Sequence, residues 1–286
     1  MRGSLEHSYA KLKRAEEQVG EFADRFGDWA SREPWTVKGT DTGTVTHWAF
    51  QIEDFPPKLG AIAEDVFNNS RAPLDKALTA YAERRGIGVE NIAFPTGKSQ
   101  AHYLGAVAKI RERFGDDPLL QELNGIEPYL GGRDAVLFHL QRLDVMGKHH
   151  PFLMPANLYT EGFDMQEIVA REGRMVFLGS RRGQHLKGRR PFGRGPNHLH
   201  QPKHDRQPKI ERLKDRIRIV FQSSADDFEF MTTTRGATFS GDFSLHLGCH
   251  LLSPDGVSMG SAEQAMRDMI GAVRAVLDGF RDRLFV

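Results

Sequence analysis

Arg71, Asp75 and Lys76 fall within six residues of one another, and Lys148, His149 and His150 follow farther along the chain. Guanidinium, ammonium and imidazole groups gathered at one point would hold a phosphate or carboxylate, and the imidazole would exchange protons near neutral pH. Arg71, Asp75, Lys76, Lys148 and His149 therefore form the candidate polar or anion site. A plainer reading competes with it. Arg71 and Asp75, at i and i+4 of a helix, make a solvated ion pair, while Arg71 and Lys76 stand about 140° apart on the helical wheel and do not share a face. Asp65, Asn69 and Lys76 share one stripe that suits a polar pocket better. Lys148 and His149 also suit a helix end, where exposed carbonyls favour positive side chains.

Other chemistry is less well supported. His246 and His250 have the spacing of a helical metal pair, but residues 243–251 alternate like a strand, which sets the imidazoles some 13 Å apart. Cys249 reads as a small buried hydrophobe on that strand. His198, His200, His204 and Asp205 lie among basic residues whose field repels cations. No nucleophile elbow, phosphate-cradling loop or dinucleotide turn is present. No metal and no cofactor is expected, and the catalytic residues, if any, are not identified by these motifs.

The strongest compositional signal is electrostatic. Residues 181–218 carry thirteen Lys/Arg against three acids, a balance of +10, while the whole chain sums to +1. Arg181, Arg182, Lys187, Arg189, Arg190 and Arg194 lead the run, and Phe192 is the aromatic residue among them. Such a segment suits phosphate contacts more than base reading, so it would bind nucleic acid nonspecifically and with strong salt dependence, against the plainer reading of a solvated insertion loop that touches nothing.

These groups must be positioned by helices in the first half and strands in the second. Apolar residues at 3-4 spacing predict a helix over 4–31, and a hairpin follows with its turn at Asp41-Thr42-Gly43. A second long helix is predicted over 57–85 with Gly86 as its cap, and Pro73 predicts a kink or break near Ser70. A short strand over 91–95 and helices over 99–114 and 134–146 complete this half. Alternating patterns predict strands over 152–159, 168–178, 216–222, 228–233 and 243–252. Ser261 to Gln264 reads as a capping box that opens a final helix. The fold class is α+β, long helices packed on an antiparallel sheet with a flexible basic loop. Residues 1–150 form a mainly helical part with an early β-hairpin, and 151–256 a strand-rich part interrupted by the loop at 180–210. Residues 257–286 form a helix packing back on the first part within one compact unit.

Short motifs in this order resemble an uncharacterised family of bacterial cytoplasmic proteins: Tyr9 to Glu16, Asn69 to Lys76, Phe94-Pro95, Ile126-Glu127-Pro128-Tyr129 and Leu143 to His149. In that family the second helix reads Leu-Arg-x-x-Leu-Asp-His and a later motif reads Asp-Lys-His. Here Lys76 stands at the helix histidine and Gly147 at the aspartate. The resemblance implies an architecture and a meeting of these polar groups, with no activity attached. An arginine followed five positions later by histidine more distantly resembles HEPN-type ribonucleases. Lysine in place of that histidine is a poor general base at neutral pH.

Cys249 is the sole cysteine, which excludes an internal disulfide, and the opening residues lack the apolar stretch of a signal peptide. Cytoplasmic placement without membrane spans is the expectation. Three function classes follow: a non-catalytic accessory or regulatory protein contacting nucleic acid through the basic loop, a degenerate HEPN-like ribonuclease, and a homo-oligomeric scaffold burying its helical seams between subunits.

Overall fold

The computed structural model describes residues 3–149, 156–165, 176–177, 219–220, 228–234, 243–253 and 258–286. Among them the architecture is a helix-dominated α+β fold. Helix α1 (Glu6–Ala30) is followed by strands β1 (Trp35–Asp41) and β2 (Val45–Ile52), then by helices α2 (Pro57–Arg85), α3 (Gln100–Phe114), α4 (Pro118–Asn124) and α5 (Ala135–His149), then by strands β3 (Ala156–Met165), β4 (Val176–Phe177), β5 (Ile219–Val220), β6 (Phe228–Thr234), β7 (Phe243–Leu252) and β8 (Ser258–Ser261), and last by helix α6 (Ala262–Leu284). No described helix is long and apolar enough to cross a membrane.

The chain divides into two compact units rather than the single one expected. The first comprises Met1–Pro34, Glu53–Leu158 and Gly248–Val286, and the second Trp35–Ile52 and Tyr159–Leu247. The early hairpin thus belongs with the strand-rich unit and not with the helices. There β1, β2, β6 and β4 lie side by side in that order, each pair antiparallel. Trp35 faces Ile52 across the first pair, and a register shift falls between Trp48 and Ala49 where β2 meets β6. The side chains of Trp48, Phe50 and Ile52, expected to share a buried face, lie outside the described residues.

The helical unit is built on the stripes read from the sequence. Leu12, Ala15, Val19 and Phe22 of α1 are buried with Leu59, Val66, Leu74 and Leu78 of α2 and with Met266, Met269, Val273 and Leu277 of α6. Helices α1, α2 and α6 pack pairwise on one another, so the last helix returns to the first two as expected. Each amphipathic stripe finds an apolar partner, which is where most helix stability arises. Gly86 closes α2 in the left-handed conformation at φ 69°, and Ser261 caps α6 by accepting from the Gln264 N–H at 3.3 Å.

Two local expectations are corrected. Helix α2 runs as one helix through Pro73, so of the expected kink or break the break does not occur. An interior proline costs about 3 kcal/mol, but Pro73, Leu74, Ala77 and Leu78 are all buried, and the Ser8 hydroxyl donates to the Pro73 carbonyl at 3.0 Å. Residues 91–95 form no strand. The Phe94 N–H and C=O are taken by the side chains of Asp75 and Arg71 rather than by a neighbouring strand.

Candidate functional site

Arg71 sits on the face of α2 that meets α5 and is only 4% exposed. Its Nε donates to Gln141 Oε1, its Nη1 to Asp75 Oδ1 at 2.7 Å and its Nη2 to the Phe94 carbonyl at 3.0 Å. The guanidinium also lies 5.9 Å from the Phe94 ring centre. Asp75 Oδ1 accepts a second bond, from the Phe94 N–H at 2.7 Å. The Arg71–Asp75 pair is therefore real, but its arginine is interior and not solvated. Every nitrogen of the fork faces an acceptor, so Arg71 acts as a buried clamp holding the loop after α2 against α2 and α5.

Of the remaining predicted residues, only Lys76 has a described side chain. Lys76 is exposed. Arg71 pairs with Gln141 and Asn68 with Asp144, so α2 and α5 run antiparallel, and this register sets Lys148 about 10 Å farther along α5 than Gln141. The backbone thus does not bring Lys148 level with Arg71; the side chains of Lys148 and His149 lie outside the described residues, as do Arg181, Arg182, Lys187, Arg189, Arg190 and Arg194.

The stripe read as a polar pocket is instead a ladder between helices. Lys11 Nζ donates to Asn69 Oδ1 at 3.0 Å, Asn69 Nδ2 to Gln18 Oε1 at 2.8 Å and Gln18 Nε2 to Asp65 Oδ2 at 3.3 Å. Gln18 is buried, so the ladder satisfies polar groups within an apolar seam and sets the register of α1 against α2.

A second buried node escaped the sequence reading. Asp117 caps α4 by accepting from the Leu119 N–H at 2.9 Å, takes the Tyr81 hydroxyl at 2.7 Å and pairs with Arg85 at 3.0 Å. Aspartate followed by proline is the signal that would have found it, since Asp at the cap and Pro at the first turn open a helix. Burial and the adjacent Asp117 carboxylate push the Tyr81 phenol up to about 12, and Tyr9, donating to Asp278 at 2.7 Å, is raised to about 12 as well. A folded-state value above the unfolded 10.0 means that this stability is complete below pH 10 and is lost as pH rises towards 12. We expect these two tyrosines to leave the denaturation midpoint unchanged below pH 10 and to lower it above, alongside the buried Cys249 thiol and Tyr103 phenol, which burial also raises. Tyr81→Phe with Tyr9→Phe should lessen the drop above pH 10, as chemical denaturation across alkaline pH would show.

Three motifs of separate chain segments meet on one wall. Phe94, held by Arg71, packs at 6.5 Å against Phe280 of α6, and Gly97 pairs with Tyr129 in an isolated parallel bridge. A Cβ on Gly97 would come within 2.6 Å of the Tyr103 nitrogen, so this approach needs glycine. Behind Phe280 lies a half-open groove of about 180 Å³ between α4, the 126–134 segment, α5 and α6. Ile126, Leu137, Val276 and Phe280 line it, with Ala272 and Ala275 on the helix wall. Glu122 with Arg283, and Asp134 with Arg133, form ion pairs at its rim, both at 3.1 Å.

No protein-family model, curated protein or solved structure matches the chain. The family resemblances therefore rest on the short motifs alone.

Elsewhere Cys249 is buried, and burial pushes its thiol up to about 12. It behaves as the small hydrophobe expected. His250 Nδ1 meets Ser258 Oγ at 3.1 Å across the β7–β8 pair, while the His246 side chain lies outside the described residues. Among the described residues no cluster of three or more His, Cys, Asp or Glu could hold a metal ion.

Proposed function

We propose that this chain is a non-catalytic accessory or regulatory protein of the bacterial cytoplasm that contacts nucleic acid nonspecifically through its basic segment. The observation carrying this reading is the separation of charge along the sequence. Residues 181–218 hold thirteen Lys/Arg against three acids, whereas the segments of the helical unit hold 22 against 26, a balance of −4. Many arginines of that unit are already matched: Arg14, Arg25, Arg85, Arg267, Arg274 and Arg281 each pair with a carboxylate. Such paired charge attracts a polyanion poorly, which leaves the basic segment as the natural contact.

Binding of short RNA and DNA duplexes at low and moderate salt, with and without residues 181–209, tests the reading. On duplex DNA, about six phosphate contacts would give a log–log salt slope of about −5. The shortened protein should lose most of this affinity while keeping its helical circular dichroism. Equal binding by the two proteins would end the proposal.

A further inference from the structure

We propose that the groove between α4, α5 and α6 is a binding site for a small apolar carboxylate. The inference is independent of the nucleic-acid reading and rests on how the rim charges are layered. Summed, the rim is neutral, with Arg133 and Arg283 against Glu122 and Asp134. The two signs are not equally presented, however. The side chains of Glu122 and Asp134 are 13% and 30% exposed, whereas their partners Arg283 and Arg133 are 65% and 67% exposed. The acids lie beneath and the guanidinium groups outside, so the surface met by an arriving ligand is cationic.

Both arginines also retain donors. Arg133 spends its Nη2 on the Gly125 carbonyl at 2.6 Å and on Asp134, and its Nε and Nη1 find no acceptor among the described residues. Arg283 turns its Nε to Glu122 and to the Gly279 carbonyl at 3.4 Å, leaving both Nη groups without an acceptor there. A guanidinium N–H pair matches the two oxygens of a carboxylate, and Arg283 keeps such a pair in Nη1 and Nη2, while Arg133 adds single donors from Nε and Nη1. The lining open to a ligand is apolar at Ile126, Ala272, Ala275 and Val276, while Leu137 and Phe280, each 1% exposed, close the groove beneath.

Size restricts the ligand further. The sheltered part of the groove, about 180 Å³, holds a small group rather than a whole nucleotide or drug-sized molecule. An apolar cavity of about 150 Å³ accepts benzene, so one ring or a short branched chain bearing the carboxylate fills the space. With the carboxylate held by the exposed arginines, the apolar body would lie against Val276 and Ala275.

Benzoate is the probe, with benzylamine as the isosteric cation, and binding to the full chain is followed by amide chemical shifts. Benzoate should shift residues of 126–137 and 272–283 with an affinity at least tenfold tighter than benzylamine. Arg133→Gln with Arg283→Gln should weaken benzoate at least tenfold and remove that preference. Ala275→Leu, a good helix former placed in the groove, should block both probes without disturbing the fold. Equal affinity for the two probes, benzoate shifts lying elsewhere, or undiminished benzoate binding by Ala275→Leu would each overturn the proposal.

Discussion

Arg71→Ala is expected to destabilise the helical unit by about 3 kcal/mol or more, the usual cost of removing one partner from a buried charged network. Three acceptors lose their donor together: Gln141 Oε1, Asp75 Oδ1 and the Phe94 carbonyl. The Phe94 ring loses the cation beside it, and the space left is enclosed by α2 and α5. Arg71→Lys should recover little, because an ammonium cannot reach acceptors arranged around a planar fork. Asp75→Asn should cost only about 1 kcal/mol, since that side chain is partly solvated and the amide oxygen can still accept. Urea unfolding with unchanged m-values would measure these differences as shifts of the midpoint. A loss below about 1 kcal/mol for Arg71→Ala, typical of an exposed pair, would contradict the clamp and reopen Arg71 as a ligand-facing group.

Asp117→Ala should approach the same size, about 3 kcal/mol, by adding a lost helix cap to an orphaned buried hydroxyl. The carboxylate is enclosed and serves the Leu119 N–H, the Tyr81 hydroxyl and Arg85. Tyr81 cannot turn to water, because its ring is stacked on Phe114 at 6.1 Å and meets Phe285 edge-on at 5.8 Å. Asp117→Asn keeps an acceptor oxygen and should cost roughly half as much, by losing the charge-assisted part of each bond. It should also bring the Tyr81 phenol partway back towards 10.0, because the neighbouring negative charge goes while the burial stays. Absorbance titration of the phenolate reads this directly. An unchanged titration in Asp117→Asn would mean that burial alone raises Tyr81.

What periodicity expresses was legible in advance. Helices α1, α2 and α3 lie within two residues of their predicted ends and α6 opens at the predicted cap Ser261, because a 3.6-residue stripe, a capping hydroxyl and a terminal glycine are local signals. The strands of the second half were legible only in part. Strand β3 runs to Met165, past the predicted end at 159, and the four-residue β8 was missed, since a short strand is defined by its neighbour.

The candidate site shows the same division more sharply. The i,i+4 rule found the Arg71–Asp75 pair, but it carries no information on depth, so it placed in solvent an arginine that lies inside. Gln141 and Phe94, which make Arg71 a clamp, are 70 and 23 residues away and announce themselves by no spacing. The groove is more remote still from sequence reading, since its rim pairs Glu122 with Arg283 across three helices and a loop. Composition and periodicity alone determined the long helices, their apolar seams and the charge contrast of 181–218, because each is a property of neighbouring residues. Only the tertiary structure decided which polar groups are buried and which guanidinium edges stay open, because burial depends on what distant segments bring to the same place.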